Sequence, residues 1–357
     1  MLGLRIGPVN YIWNIEYDLT PYNTDLESIQ GFLDQVDTLV GFNLKFDLAW
    51  LRRYGLNFDH CTMWDCQLGE FVHTNQQERL PSLEGCLSKY GLGHKLDIVK
   101  TEYWERGIDT PNVPWDILEE YLVSDLELTD KLYKWQLDNI PKSKRNLLKL
   151  QNKDLVVLLE MEGTGLLVDW QGLSTAAQAR RLELEETLDK LRDFTGDWPY
   201  FNPDSPEHIS ALLYGGSITA KVSTEYEHTY KTGPKKGTVV PRNRWHEETK
   251  DFTRLVAPLK GSELKKEGLW STDEPTLRQL PKPKKLIDLL LHRAALTQLL
   301  GTYYDGFTKI YTDMDWRDDV LHGTLNMCIA RTSRLSASKP NQQNIAEEIF
   351  AYIRSRG

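Results

Sequence analysis

The sequence predicts an α/β layer module at its amino-terminal end, followed by a mainly helical region. In the first 60 residues, short runs with the composition of strands alternate with turns at residues 3–7, 11–15 and 38–42, and helical patterns lie among and after them. A long amphipathic pattern follows Pro114 and ends near Leu137, and a proline in front of such a pattern is typical of a helix start. Beyond residue 147 the apolar residues recur almost entirely at helical spacing.

A chain of 357 residues is long enough for two or three domains. Pro141 and the basic cluster after it predict a boundary, so that residues 1–146 form the first domain and a helical region begins at residue 147. Residues 221–281 are rich in Gly, Pro and Lys and have few apolar stripes, which predicts a mobile, irregular excursion from a helical pair.

The composition indicates a protein of the cytoplasm. No apolar run approaches the length of a membrane span, and the first residues lack a secretory hydrophobic region, so we expect no membrane partner. The four cysteines, Cys61, Cys66, Cys86 and Cys328, show no paired-ligand spacing, which predicts reduced thiols without bound metal.

The charge is unevenly distributed along the chain. The net charge of −9 divides into −8 over residues 1–150, −7 over residues 151–220 and +6 over residues 221–357. This asymmetry suits an acidic front module followed by a region that lies against phosphates, although solvated surface charge explains it equally well.

Asp47 lies where a strand turns directly into a helix. It falls in the first turn of that helix, where the helix dipole favours an ionised carboxylate. A first-turn acid without further function is one explanation for this position, and a metal ligand is another.

Asp125 lies inside an apolar helical stripe, where a carboxylate is costly to bury. A divalent metal ion compensates such a charge, and so do backbone amides or an arginine. Tyr121, one turn earlier, shares the same face of the helix.

These two acids are part of strings that resemble the proofreading exonuclease domain of family A DNA polymerases. The second exonuclease motif of that family is similar to residues 41–47, GFNLKFD, and the third is similar to Tyr121-x-x-x-Asp125. Between them, Trp64, Asp65 and Cys66 lie where the family has its Asp-Thr segment. The resemblance implies an RNase H-like α/β exonuclease domain over residues 1–146.

The resemblance also implies a role for each matching residue. Asp47 and Asp125 would bind metal as part of a site for two Mg²⁺ ions, which in such nucleases activate a water and stabilise the departing 3′ oxygen. Tyr121 would orient the attacking water, and Asn43 would contact the single-stranded 3′ end.

The first exonuclease motif of the family, an Asp-x-Glu on the first strand, is absent from this sequence. Residues 1–7 resemble the second strand of the family's sheet, so we expect the first strand and its two acids to lie upstream of this chain. The nearest acidic pair, Glu16 and Asp18, is in the wrong order and follows a later strand. We therefore expect an incomplete nuclease site in a fragment that by itself is inactive.

The carboxy-terminal part resembles the polymerase region of the same family. Residues 147–320 would form a helical thumb, and residues 321–357 would begin the palm. The most specific match is residues 332–345, TSRLSASKPNQQNI, which is similar to a family signature that lies against DNA. In three places the sequence departs from the signature: Ser333 replaces a glycine, Gln342 a leucine and Ala346 a proline.

This signature supplies four candidate contacts to DNA, namely Arg334, Asn341, Gln343 and Asn344. Minor-groove acceptors occupy similar places in every base pair, so Arg, Asn and Gln donors bind them without selecting a sequence. The resemblance thus implies a DNA-directed DNA polymerase of the bacteriophage-like branch, acting in DNA replication on a primer-template and deoxynucleotides, with an unknown processivity partner.

Two other functions remain open at this point. A stand-alone 3′→5′ exonuclease of similar fold shares both carboxylate motifs but has no use for residues 321–345. A non-catalytic DNA-binding module needs neither metal-binding acid.

Overall fold

The computed structural model describes residues 1–14 and 26–356. Glu16 and Asp18, together with the end of the strand expected at residues 11–15, lie outside the described residues. No described helix is both long enough and apolar enough to cross a membrane.

The first half of the chain contains two small sheets and a set of helices. The strands β1 and β2 form an antiparallel hairpin, and β3 and β4 form a parallel pair. In chain order these elements are β1 Leu2–Ile6, β2 Val9–Trp13, α1 Leu26–Leu33, β3 Thr38–Gly41, α2 Leu44–Arg53, β4 Thr62–Asp65, α3 Cys66–His73, α4 Leu83–Tyr90, α5 Ile98–Glu102, α6 Trp115–Asn139, α7 Lys142–Thr164 and β5 Leu166–Val168.

The next part is mainly helical and carries one long β-hairpin. Its elements are α8 Trp170–Thr195, α9 Pro206–Tyr214, β6 Gly216–Thr229, β7 Val239–Phe252, α10 Glu274–Gln279, α11 Lys284–Leu299 and α12 Asp305–Asp313, with a π-helical turn at Leu300–Tyr304 between the last two helices.

Short strands and 3-10 turns form the end of the chain. The strands are β8 Val320–Leu321, β9 Thr324–Asn326, β10 Ser336–Ser338 and β11 Ile353–Ser355. The strands β9 and β10 pair with each other, whereas β5 lies between β8 and β11 in an antiparallel sheet.

The chain divides into two compact units. The first comprises residues 1–168, 314–345 and 353–357, and the second comprises residues 169–313 and 346–352. The core of the first unit is built on fully buried side chains such as Ile29, Leu48 and Phe71, and that of the second on Leu213 and Leu286.

Local capping explains where several helices begin. The side chains of Asp65, Ser82, Asp169, Ser205 and Asp273 each accept a hydrogen bond from a backbone N–H in the first turn of the helix that follows. Such caps satisfy donors that have no partner within the helix.

Two sequence-based expectations are corrected by the structure. The helix α7 begins at Lys142 rather than after residue 146, and it stays in the first unit because Leu148, Leu155 and Leu159 join the first unit's core. The boundary between the units therefore falls after Val168.

The second correction concerns residues 221–281, which were expected to be irregular. Most of residues 216–252 form the regular β6–β7 hairpin, paired from Gly216 and Phe252 to Thr229 and Val239. Both faces of this hairpin are largely polar and exposed, so the sequence lacks the one-sided apolar alternation that indicates a strand. The four cysteines are free thiols.

Candidate functional site

A cavity of about 520 Å³ lies within the first unit, between the β1–β2 hairpin and the β3–β4 pair. Residues 1–7 line one side of it, residues 38–42 line the other, and Leu122 and Leu126 of α6 belong to the same lining. Among the described residues, β1 pairs only with β2, and β3 pairs only with β4. One edge of each sheet is therefore left unpaired beside a largely apolar cavity.

Asp47 and Asp125 both line this cavity, together with Lys95. Their positions in the sequence are far apart, so the fold brings both residues to the lining of one cavity. The structure places Tyr121 next to Lys95, while Asn43 is exposed at the start of α2.

The position of Asp47 depends on the buried carboxylate of Asp65. This carboxylate accepts hydrogen bonds from the backbone N–H groups of Asn43 at 3.1 Å and Leu44 at 3.0 Å, and also caps α3. Asn43 adopts a left-handed conformation with φ of 58°. The two contacts fix the turn from β3 into α2, and hence the direction in which the first turn of α2 presents Asp47.

The environment of Asp47 favours its neutral form. Asp47 is an exposed residue that lines the cavity, and the surrounding protein partly desolvates its carboxylate. This desolvation, followed by the nearby charge of Asp65, raises the pKa of Asp47 to about 7, although its own backbone N–H opposes the shift. A bound cation would reverse this preference.

Asp125 is neutralised by a lysine. Lys95 Nζ lies 2.8 Å from Asp125 Oδ2 and 3.2 Å from the Tyr121 hydroxyl, and it lies 5.2 Å from the centroid of the Tyr121 ring. The other carboxylate oxygen, Asp125 Oδ1, is buried and has no hydrogen-bond partner. Lys95 thus pairs with one oxygen of the Asp125 carboxylate and leaves the other oxygen available to a ligand.

Sequence patterns did not indicate Lys95 because it lies in a loop outside any recognisable motif. Glu84 of α4 holds that loop, since its carboxylate accepts from the backbone N–H of Lys95 at 2.8 Å and contacts His94 Nδ1 at 2.8 Å. The backbone hydrogen bond and His94 lower the pKa of Glu84 to about 2.

The donor set of the cavity fits a magnesium ion in part. Mg²⁺ is commonly bound through one or two carboxylates, with water or substrate phosphate completing its shell. Asp47 and Asp125, with its unpartnered oxygen, are suitable ligands of that kind. Within residues 1–14 and 26–356, however, no group of three or more His, Cys, Asp or Glu side chains is placed to hold one ion.

A second group of candidate residues lies in residues 321–345, which Glu162 attaches to the rest of the first unit. Its Oε1 atom accepts from Lys45 Nζ and from the backbone N–H of Leu325, both at 2.5 Å. The backbone oxygen of Glu162 contacts His322 Nδ1 at 2.8 Å. The start of this segment is thereby fixed to α2 and α7.

The four predicted DNA contacts lie on or near the loop and turn that flank β10. Arg334, Asn341, Gln343 and Asn344 are all exposed. The Asn341 side chain also has a local role, because its Oδ1 atom accepts from the backbone N–H of Gln343 at 3.1 Å and starts a 3-10 turn.

Ser333, where the similar signature has glycine, adopts the backbone conformation that glycine favours. Its φ is 56°, and its N–H donates to the Ala330 oxygen at 2.8 Å. The loop therefore keeps a left-handed turn without the residue that best accommodates one.

The chain is similar in sequence to known DNA polymerases. Residues 250–356 match the model of the family "DNA polymerase family A". DNA polymerase I of Synechocystis is 25% identical over 311 residues, which cover 85% of this chain and 26% of that protein. The DNA polymerase of Bacillus phage SP01 is 22% identical over 339 residues, which cover 91% of this chain and 36% of that protein.

A solved structure is similar in fold over most of the chain. It is the polymerase domain of Pol1 from M. smegmatis in complex with DNA primer-template and dNTP, with a TM-score of 0.61 at 20% sequence identity. The match covers 92% of this chain and 46% of that one. This chain thus spans about a quarter to a half of the length of the proteins it matches.

Proposed function

Since residues 250–356 match the family A DNA polymerase model and most of the chain is similar to DNA polymerases, we propose that it supplies part of the DNA-holding surface of a DNA-directed DNA polymerase. Its partners would be a primer-template and, in the whole protein, deoxynucleotides. The observation that carries the proposal is the exposed segment 332–345, which lies within the matched residues 250–356 and presents Arg334 on a fixed loop.

The construction of this segment supports sequence-independent binding. Its start is anchored through Glu162 and its strands β9 and β10 pair over three residues, so the loop between them is held at both ends. An arginine on such a loop donates to minor-groove acceptors that all base pairs share. A stand-alone exonuclease gives no reason for this arrangement.

The test compares Arg334→Ala with Arg331→Ala, a second exposed arginine of the same loop. Binding to labelled primer-template duplexes that differ in their terminal base pair is measured by fluorescence anisotropy. We expect Arg334→Ala to raise the Kd by about 5- to 150-fold on every duplex, which corresponds to about 1–3 kcal/mol. Equal effects of the two substitutions, or a loss at one base pair alone, would refute the minor-groove role.

We propose further that the amino-terminal part is a 3′→5′ proofreading exonuclease whose first strand is not part of this chain. Support comes from the unpaired edges of β1 and β3 beside the cavity. In a sheet, strands lie about 4.8 Å apart, packed layers lie about 10 Å apart, and each residue adds about 3.3 Å along the strand. With these dimensions, the cavity volume of about 520 Å³ corresponds to at least about three residues of extended chain. One inserted strand would pair with both edges.

Each cavity residue has a role in this proposal. Asp47 and Asp125 would hold Mg²⁺, which when bound would supply an activated water and charge stabilisation for phosphodiester hydrolysis. Tyr121 would orient the attacking water through its hydroxyl, while the exposed Asn43 would contact the single-stranded 3′ end. Lys95 holds one carboxylate oxygen of Asp125; desolvation lowers the pKa of this lysine, but the hydrogen bond and charge of Asp125 raise it above its usual value.

A synthetic strand tests the nuclease proposal. The probe is a seven-residue peptide with alternating apolar residues and a central Asp-x-Glu, and a control peptide carries Asn-x-Gln instead. We expect both peptides to bind by calorimetry, and only the acidic one to produce Mg²⁺-dependent release of nucleotides that Asp125→Ala abolishes.

The binding itself has a further control. A peptide with proline at its centre lacks a backbone N–H and should bind neither edge. Efficient nucleotide release by the chain without peptide, or equal binding of the proline peptide, would contradict the incomplete-sheet proposal.

A further inference from the structure

The β6–β7 hairpin projects a long two-stranded ribbon whose function the sequence motifs do not explain. Each strand has 14 residues, so the ribbon extends over roughly 45 Å at 3.3 Å per residue. Its outer half is exposed, and Tyr226 and Trp245 are 42% and 67% exposed. The turn between the strands carries Lys231, Lys235 and Lys236.

The two faces of the ribbon differ in charge. Residues paired across an antiparallel ladder share a face, and neighbours along a strand alternate. Pairing of Tyr226 with Arg242 and of Thr224 with Arg244 places both arginines on one face, which we call the basic face. Its one carboxylate, Glu248, lies toward the base of the hairpin and contacts His246 at 3.3 Å.

The opposite face carries most of the acids of the hairpin. Glu225 pairs with Asn243, and Glu227 pairs with Pro241, so both glutamates point away from the arginines. Glu247 and Asp251 share this acidic face, where Lys221 is the single basic residue. If these charges served only to keep the ribbon solvated, there would be no reason for the positive and negative side chains to lie on opposite faces.

Aromatic rings run along the basic face beside the arginines. The Tyr226 and His228 ring centroids lie 6.3 Å apart, and those of His228 and Tyr230 lie 5.2 Å apart. Arg242 lies over the Tyr230 ring at 5.2 Å and donates to its hydroxyl at 3.1 Å. These contacts order the row of side chains in advance, while Arg244 and Tyr226 stay exposed.

A basic surface with interleaved aromatic side chains is the combination that binds single-stranded nucleic acid. Arginines and lysines contact the phosphates, and exposed rings stack on bases without selecting a sequence. We propose that the basic face of the β6–β7 hairpin binds single-stranded DNA. The choice of DNA rests on the proposed polymerase function, whereas the binding surface is separate from Arg334 and from the cavity residues.

The test uses the whole chain and a fluorescent 20-nucleotide oligo(dT), with anisotropy measured from 50 to 300 mM salt. The variant R242Q/R244Q removes two positive charges from the basic face. Its control, K221Q/S223E, changes the net charge by the same amount on the acidic face. Circular dichroism and thermal melting establish that both variants are folded.

We expect R242Q/R244Q to weaken binding roughly tenfold or more, and to lower the slope of log K against log salt by about 1.4, since each single-strand phosphate contact contributes about 0.7. The control should bind nearly as the unchanged chain does. Tyr226→Ala should weaken binding by about 5- to 150-fold and leave the salt slope unchanged, because stacking releases no counterions.

Three outcomes would overturn the inference: equal weakening by the two charge variants, no weakening by R242Q/R244Q, or tighter binding of a 20-base-pair duplex than of oligo(dT). If R242Q/R244Q binds normally while Arg334→Ala still loses duplex affinity, the hairpin inference fails and the proposed polymerase function stands. If R242Q/R244Q weakens binding to oligo(dT) while Arg334→Ala keeps its duplex affinity, only the proposed role of Arg334 fails.

Discussion

Ser333 is the residue at which the sequence and the local backbone conflict most clearly. A serine at φ 56° carries the steric cost of left-handed backbone, about 1–2 kcal/mol for an L-residue. The sequence shows that serine replaces the glycine of the similar signature, and this substitution predicts an unusual backbone at position 333. The sequence alone did not indicate whether the chain changes its path there or keeps the turn under strain.

We expect Ser333→Gly to increase the free energy of unfolding by about 0.5–1 kcal/mol. Relief of the left-handed strain exceeds the extra entropy that glycine gains in the unfolded chain, and only an exposed hydrogen bond from Gln76 at 3.1 Å is lost. Urea unfolding measures the change. Ser336→Gly, in the strand β10, is the matched control and should lower stability instead, and a loss in both variants would contradict the strain argument.

At the scale of elements, Asp65 joins two helices and a strand through one side chain. It ends β4, caps α3 and holds the first residues of α2, and it is 3% exposed. Burial raises the pKa of Asp65 to about 6, and four backbone N–H groups oppose that shift. The sequence placed it in a motif, and the fold shows that its carboxylate accepts hydrogen bonds from the first turns of α2 and α3.

We expect Asp65→Ala to lower the stability by about 2–3 kcal/mol near pH 5, because it leaves buried backbone donors without an acceptor. A raised folded-state pKa means that the folded chain binds the proton more tightly than the unfolded chain. The stabilisation from this group is therefore full below about pH 4 and is lost as the pH rises through 6.

The loss caused by Asp65→Ala should thus shrink between pH 4 and pH 7. Thermal melting of both proteins across this range measures the difference. Asp59→Ala, an exposed acid on the loop before β4, is the control and should show no such trend. A difference that grows with pH would show that the carboxylate is preferentially stabilised in its charged form.

The elements themselves were predictable to different degrees. The long helix α6 follows from its apolar stripe, because one face packs on β1, where Leu122 and Leu126 approach Gly3. The β6–β7 hairpin could not be predicted from the sequence, because a ribbon exposed on both faces does not alternate apolar and polar residues. Lys95 was missed for a related reason: a loop residue gains its role from tertiary contacts with Asp125 and Tyr121.

At the scale of the whole molecule, the last residues of the chain serve both compact units. In the second unit, Glu348 accepts from Arg180 at 2.8 and 2.9 Å and from the Tyr304 hydroxyl at 2.6 Å. In the first unit, β11 pairs with β5 over three residues. The sequence predicted a single palm segment here, whereas the fold divides it between the units.

We expect removal of residues 346–357 to increase backbone hydrogen exchange in both units, at α8 and at β5. Removal of residues 353–357 alone is the control and should affect β5 but leave α8 protected, since Arg180 and Tyr304 keep Glu348. Hydrogen exchange followed by mass spectrometry resolves the two regions. Equal exchange of α8 in the two truncated proteins would show that Glu348 contributes nothing to the second unit.

The ion pair of Lys95 with Asp125 has a consequence for chemical labelling. An ammonium group held by a carboxylate, and with its pKa raised, reacts slowly with acylating reagents because they attack the neutral amine. A divalent ion bound by Asp125 would free the amine and change its reactivity. The acetylation rate of Lys95, followed by mass spectrometry against the exposed Lys100, therefore gives a direct readout of events in the cavity without any enzymatic assay.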